Sequence, residues 1–259
     1  MPCIQLPDGT KKEFDQPVTP AEVATSIGPG LAKAAIGARI DGELSDLSCP
    51  ILHDASLELL TAPRKGQTPD PDALLMLRHS TAHVMAEAIQ RVVPGVQLVY
   101  GPPLDHGFYY DMAVPEDRPI RDEDFEAIER EMKAIIAEDR SFTRYELEHE
   151  PGLEKLESEG SKYKIDNAQR ALDAGSIMLS WYATGSPGTD WEDLCRGPHI
   201  PSTGRIGACK VMSVASSYWH GDADSDRLTR VYGTAFFDQA GLNDHLELLE
   251  EAKKRDHRA

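Results

Sequence analysis

Cysteine is scarce in this sequence. Its four cysteines, Cys3, Cys49, Cys195 and Cys209, lie at uneven spacing in 259 residues. This spacing gives no disulfide framework and favours a reducing, cytoplasmic compartment. No apolar run approaches the roughly 18 residues that a membrane span needs, and the N-terminus lacks the basic start and apolar stretch of a signal peptide. We therefore expect neither secretion nor a membrane partner.

Basic residues are also few relative to acidic ones. The chain has 27 Lys and Arg against 44 Asp and Glu, which gives a formal net charge of −17. Taken alone, this charge argues against a nucleic acid partner, because a polyanion is repelled. Disorder of the whole chain is excluded, since hydrophobic residues make up 40% of it and its length suits two domains.

Residues 1–63 predict a small domain of the β-grasp type. Thr19 is expected to cap a helix that ends at Gly28, and Glu22 completes its capping box. Turn signals such as Asp41-Gly42 separate short strands on both sides of this helix. The expected strands are 3–6, 11–14, 34–40, 43–47 and 56–61. Residues 64–69 then read as a polar linker.

Residues 70–240 predict an α+β domain with a central antiparallel sheet packed by helices. Asp70 is expected to cap a long helix that runs to about Val93. Further helices are expected at 122–139, 152–158 and 166–174, and strands at 177–182 and 210–215. Residues 241–259 continue a helix that begins near Asp238, and we expect it to lead toward a further domain.

Two pairs of residues could carry chemistry. His79 and His83 are four residues apart, so both imidazoles would lie on one face of the long helix. Cys195 and His199 enclose a Gly-Pro turn, which places them on a loop. Three imidazoles and one thiol form the ligand set of a tetrahedral zinc site, and they are equally a set of proton carriers near neutral pH. Buried core histidines and a structural zinc clip stay open as alternatives.

Several further motifs extend this pattern along the chain. They are LPDGT, HSTAH (79–83), GPPLDHGFYYDM (101–112), SKYK (161–164), DLCRGPHIPSTG (193–204), SYWHGD (217–222) and RVYGTAF (230–236). Together they resemble the N-terminal half of bacterial threonyl-tRNA synthetases. The resemblance implies a TGS domain at 1–63 and an editing domain at 70–240. It also implies that the aminoacylation core, with its zinc, ATP and magnesium, lies outside this chain.

The function that the resemblance implies is hydrolysis of mischarged seryl-tRNA(Thr), with release of serine and tRNA(Thr). Serine lacks one methyl group of threonine, a difference worth only about 1–3 kcal/mol to a synthetic site. A second site that excludes the larger threonine would correct the resulting errors. The expected partner is the acceptor end of tRNA(Thr). The chain is expected to be a monomer, and a full-length parent protein a homodimer.

The resemblance also implies roles for individual residues. The expected catalytic residues are His79, Lys164 and His199, with His79 holding the ribose hydroxyl or leaving oxygen and the other two activating water. The expected substrate-binding residues are His83, Tyr109, Tyr110, Asp193, Cys195 and Arg196. No cofactor or metal is expected for editing. If zinc binds, its expected ligands are His79, His83, Cys195 and His199.

Three other interpretations remain open at this point. The HxxxH and CxxxH pattern is shared with alanyl-type editing proteins, which predicts a zinc-dependent aminoacyl-tRNA deacylase. A TGS domain also occurs in regulatory proteins, so a non-catalytic tRNA-binding module is the second. The third is covalent catalysis by a Cys195 thiolate beside His199.

The net charge generates a first prediction about tRNA binding. Because the acidic body repels a polyanion, we expect the isolated chain to bind tRNA(Thr) weakly and with strong salt dependence. Fluorescence anisotropy with labelled tRNA at two salt concentrations measures both properties. Tight binding that salt does not weaken would contradict the prediction.

Overall fold

The computed structural model of the chain describes residues 1–64 and 66–256, without the side chain of Asp256. The predicted linker residue Lys65 and the predicted helical residues 257–259 lie outside the described part. Within it, no helix combines the length and the apolar character that crossing a bilayer requires.

The first unit has the β-grasp architecture that its sequence predicts. Its strands are β1 (Cys3–Gln5), β2 (Lys11–Glu13), β3 (Ala35–Ile40), β4 (Glu43–Ser45) and β5 (Ala55–Thr61), and its helices are α1 (Pro20–Ile27) and α2 (Pro29–Ala34). The sheet order is β2-β1-β5-β3-β4, with β1 parallel to β5 and the other pairs antiparallel. Helix α1 contributes Val23 to the hydrophobic core of this unit, which also contains Ile4 and Leu57.

The local signals around α1 explain where it begins and ends. Thr19 Oγ1 accepts from the Glu22 backbone N–H at 3.2 Å, and Glu22 Oε2 accepts from the Thr19 N–H at 2.8 Å, so the predicted capping box is present. The helix ends before Gly28, as predicted. The second helix α2 was not predicted, and it begins at once because Pro29 fits a first helical position.

Helix α3 (Pro71–Val92) connects the two units and is buried along most of its length. Asp70 caps it by accepting from the Asp72 N–H at 2.9 Å, as the sequence predicts. One part of the helix packs on the first unit, where a Cβ added at Gly37 would lie only 2.4 Å from the Met76 sulfur. Because protein surrounds it, α3 can present polar side chains to a buried site.

The second unit is α+β, as predicted. Its strands are β6 (Gln97–Tyr100), β7 (Pro103–Leu104), β8 (Gly107–Ala113), β9 (Phe142–Glu148), β10 (Met178–Thr184), β11 (Glu192–Leu194), β12 (Ala208–Tyr218) and β13 (Arg227–Phe236). Its helices after α3 are α4 (Phe125–Ala137), α5 (His149–Ser158), α6 (Lys162–Asp173) and α7 (Gln239–Asp256).

These strands form two antiparallel sheets rather than one. One has the order β11-β10-β9, and the other has the order β12-β13-β8-β6 with β7 paired to β8. Strands β6, β7, β9, β11 and β13 were not predicted. In β9 the sequence FTRYELE places charged residues on the exposed positions of the alternation. Helix α6 begins at Lys162, four residues before the predicted helix 166–174. Lys164 is therefore in the first turn of α6 and is buried.

Candidate active site

The first component of the site comes from α3. His79 lies with its Nδ1 3.2 Å from the Pro198 carbonyl oxygen. A carbonyl only accepts, so Nδ1 carries the proton and Nε2 keeps its lone pair. That lone pair faces Cys195 Sγ at 3.3 Å. His83 follows one turn later, and its ring centroid lies 5.5 Å from that of His79.

The second component is the loop of residues 195–199, which follows β11. His199 Nδ1 lies 3.0 Å from Ser80 Oγ, and Ser80 uses its hydroxyl proton to donate to the Met76 carbonyl at 2.9 Å. The Ser80 oxygen therefore accepts from His199 Nδ1–H. This fixes the same tautomer as in His79 and turns the His199 Nε2 lone pair toward Cys195 Sγ, at 3.5 Å.

Burial determines the protonation of these groups. It lowers the pKa of His79 to about 4 and of His83 to about 3, although Asp193 opposes both shifts. Burial and the other two imidazoles hold the pKa of His199 well below its usual value. Burial, with the Asp193 charge, raises the pKa of Cys195 to about 12. At neutral pH the cluster holds three uncharged imidazoles and an uncharged thiol.

A buried ion pair lies beside this cluster. Lys164 Nζ is 2.6 Å from Asp193 Oδ1 and 3.0 Å from the Tyr110 hydroxyl, which in turn donates to Asp193 Oδ2. Burial alone would raise the pKa of Asp193, but the positive charge of Lys164 and the other contacts lower it. The side chains of Lys164 and Asp193 are only 7% and 4% exposed. Lys164 therefore contributes a positive charge and N–H donors to the site.

A cavity of about 790 Å³ opens onto these groups. The predicted site residues that line it are His79, His83, Tyr110, Lys164, Asp193, Cys195 and Arg196. His199 and Tyr109 are not among the described lining residues. His199 lies one layer deeper, with its ring 4.3 Å from that of His79. Tyr109 points to the other face of β8, where the Arg230 guanidinium lies 3.9 Å from the centre of its ring.

The donor atoms of the cluster also suit a metal ion. One ligand atom each from His79, His83, Cys195 and His199 lies within 4.8 Å of all the others. Two of the imidazoles donate through Nδ1 to oxygen atoms, as zinc-binding histidines do. Among the described residues, no group hydrogen-bonds His83 Nδ1. The four residues fit a zinc ion in the type and the closeness of their donor atoms, as their spacing in the sequence indicated.

Several residues around the site were not predicted from the sequence. Ser80 orients His199, and Tyr182 places its ring 4.3 Å from the His199 ring. Leu44 and Asp46 come from the first unit: Leu44 lines the cavity and Asp46 contacts the 195–199 loop. Ser80 could have been noticed within HSTAH. The sequence around Asp46 carries no comparable signal, because its role depends on how the two units pack.

Comparisons with known proteins agree with this architecture. Residues 2–61 match the TGS domain family, and residues 182–232 match the family described as the threonyl and alanyl tRNA synthetase second additional domain. The chain is 45% identical to threonine--tRNA ligases of Burkholderia multivorans, over 100% of its length, and of Erythrobacter litoralis, over 98%. It spans only 38% of the length of each. The resemblance inferred from the motifs is confirmed, while the predicted boundaries 1–63 and 70–240 stay predictions.

The ion pair generates a prediction about stability. Asp193→Ala leaves the Lys164 ammonium buried without its carboxylate, so we expect the free energy of unfolding to fall by about 3–5 kcal/mol. Urea denaturation measures it. The control is Glu251→Ala, which removes the exposed pair with Arg255 on α7 and should change stability by about 0–1 kcal/mol. Equal losses in the two variants would contradict the prediction.

Proposed function

We propose that this chain hydrolyses the ester bond of mischarged seryl-tRNA(Thr) and releases serine and tRNA(Thr). The observation that carries the proposal is the convergence of His79, Lys164 and Cys195 on one cavity, in a unit that matches a synthetase editing domain. Aminoacylation is not proposed for this chain, because it spans only 38% of the ligases that it resembles.

The chemistry follows from the protonation states. An ester hydrolase needs a water molecule over the carbonyl carbon, an acceptor for its proton and donors for the oxyanion. His79 lines the cavity and its Nε2 is unprotonated, so we assign it the task of accepting that proton, in place of its contact with Cys195 Sγ, and of returning the proton to the leaving ribose oxygen. Two N–H groups of Lys164 are paired with Asp193 and Tyr110, and the third can donate to the oxyanion. No covalent enzyme intermediate is required.

This division of roles differs from the one that sequence reasoning favoured. That reasoning gave water activation to Lys164 and His199 and the ribose oxygen to His79. His199 lies behind the lining residues, so we assign it the task of holding Cys195 and His79 in place. The raised pKa of Cys195 keeps its thiol protonated, which disfavours the thiolate nucleophile considered above.

Selection of serine over threonine is proposed to be steric. Cys195, His83 and Asp193 line the cavity together, and buried polar groups of this kind can hydrogen-bond the amino and hydroxyl groups of a serine ester. We propose that contact with these side chains leaves no room for the additional methyl group of threonine. The smaller amino acid is therefore the one that reaches the water.

The assay for this proposal measures release of each amino acid from seryl-tRNA(Thr) and threonyl-tRNA(Thr). We expect serine release well above the uncatalysed rate and slower release of threonine. His79→Ala should lower kcat by about 10²–10⁴-fold, because it removes the proton acceptor. The matched control is His149→Ala, which removes an exposed histidine at the start of α5 and should leave kcat unchanged.

Two outcomes of this assay would contradict the proposal. Serine release at the uncatalysed rate would favour the non-catalytic tRNA-binding module. Full activity in His79→Ala would leave catalysis in place but overturn the role given to this residue.

We further propose that the reaction needs no metal ion, as the resemblance to threonyl-type editing domains implies. The competing zinc-dependent function is favoured by the donor set itself: His79, His83, Cys195 and His199 would hold the ion. Bound zinc would supply a Lewis acid and lower the pKa of a bound water molecule.

Chelation separates these two functions. We expect unchanged serine release after treatment with EDTA, and elemental analysis that finds no stoichiometric zinc in the purified chain. Activity that disappears with EDTA and returns with zinc would establish the zinc-dependent alternative.

A further inference from the structure

One carboxylate of the first unit, that of Asp46, contacts residues of the site in the second unit. Asp46 directly follows β4 and is 8% exposed. Its Oδ1 accepts from the backbone N–H of His199 at 2.7 Å, and its Oδ2 accepts from the Tyr182 hydroxyl. The carboxylate therefore contacts, across more than 130 residues of sequence, both the 195–199 loop and the strand β10 beneath it.

The 195–199 loop also packs closely against Tyr182. A Cβ added at Gly197 would lie 2.0 Å from the Tyr182 hydroxyl oxygen, and Gly197 has a positive φ of 76°. The turn between Cys195 and His199 thus rests directly on Tyr182, whose hydroxyl is held by Asp46. The His199 ring also contacts Tyr182, at 4.3 Å between ring centres.

Water cannot replace Asp46 as the acceptor of the His199 N–H, because His199 is only 1% exposed. Buried backbone donors are almost always paired, so removal of the Asp46 acceptor would force the loop to move. A move of this loop changes the distance from Cys195 Sγ to His79 Nε2, because Cys195 belongs to the loop and His79 to α3.

We propose that Asp46 is a positioning residue for the deacylase site, and that the first unit thereby completes the site of the second. This inference rests on the proposed function. Asp46 does not line the cavity among the described residues; it acts through the backbone of His199. Leu44, two residues earlier, adds a wall to the same cavity from the same unit.

The central experiment compares Asp46→Ala with Asp46→Asn in the full chain. A misplacement of about 1 Å in reacting groups costs about 100-fold in rate, so Asp46→Ala should lower kcat by about that factor with little change in KM. Asp46→Asn is expected to retain most of kcat. Its amide oxygen can still accept from His199 N–H, and its amide NH₂ can donate to the Tyr182 oxygen.

The matched control is Arg39→Ala, because Arg39 makes a separate polar contact between the units. Its guanidinium lies 2.9 Å from Asp72 Oδ2 and 2.9 Å from Asp70 Oδ1, at the start of α3 and away from the 195–199 loop. We expect Arg39→Ala to lower the melting temperature while leaving kcat unchanged. A loss of kcat in both alanine variants, in proportion to their melting temperatures, would overturn the specific role of Asp46.

A second measurement does not depend on activity. Hydrogen–deuterium exchange of the His199 backbone amide, followed by NMR, should accelerate in Asp46→Ala and stay slow in Asp46→Asn and Arg39→Ala. Wild-type kcat or an unchanged exchange rate in Asp46→Ala would overturn the inference. If the wild-type chain releases no serine, the proposed function fails, and the exchange experiment alone decides whether Asp46 holds the loop.

Discussion

The buried ion pair between Lys164 and Asp193 is the interaction on which the site depends. It joins helix α6 to strand β11, and the Tyr110 hydroxyl connects both to β8 in the other sheet. A charge taken out of water must be paired and hydrogen-bonded, so these three elements can pack in few other ways. The pair thereby fixes one wall of the cavity and supplies the one buried positive charge among its described lining residues.

The distribution of charge explains how an acidic chain could serve an RNA substrate. Although the net charge is −17, the cavity is lined by Arg144, Lys164, Arg170 and Arg196 against Glu146 and Asp193. The net charge of these lining side chains is therefore positive, opposite in sign to that of the whole chain. Such an arrangement would accept one end of a polyanion while the acidic surface opposes extensive contact with the rest.

Much of the fold was predictable because its signals are local. The Thr19 capping box, the Asp70 cap and the turn at Asp41 depend on neighbouring residues, and all are found where the sequence places them. The prediction was less accurate where burial overrides local character. Strand β9 was not predicted because it contains several charged residues. The start of α6 was predicted too late because Lys164, a charged residue, is buried there. Division of the second unit into two sheets depends on long-range pairing, which no local pattern encodes.

For the site, the sequence by itself determined the chemistry: three imidazoles, a thiol, a lysine and a carboxylate, in motifs that identify an editing-type domain. The tertiary structure decided which atoms of these groups can act. Hydrogen bonds to Pro198 and Ser80 select the tautomers of His79 and His199, and burial keeps these histidines uncharged. His199 lies behind the residues that line the cavity. The tertiary structure also brought Asp46 to the loop from another unit. The physical reason is that tautomer, pKa and access depend on neighbours distant in sequence, which only packing brings together.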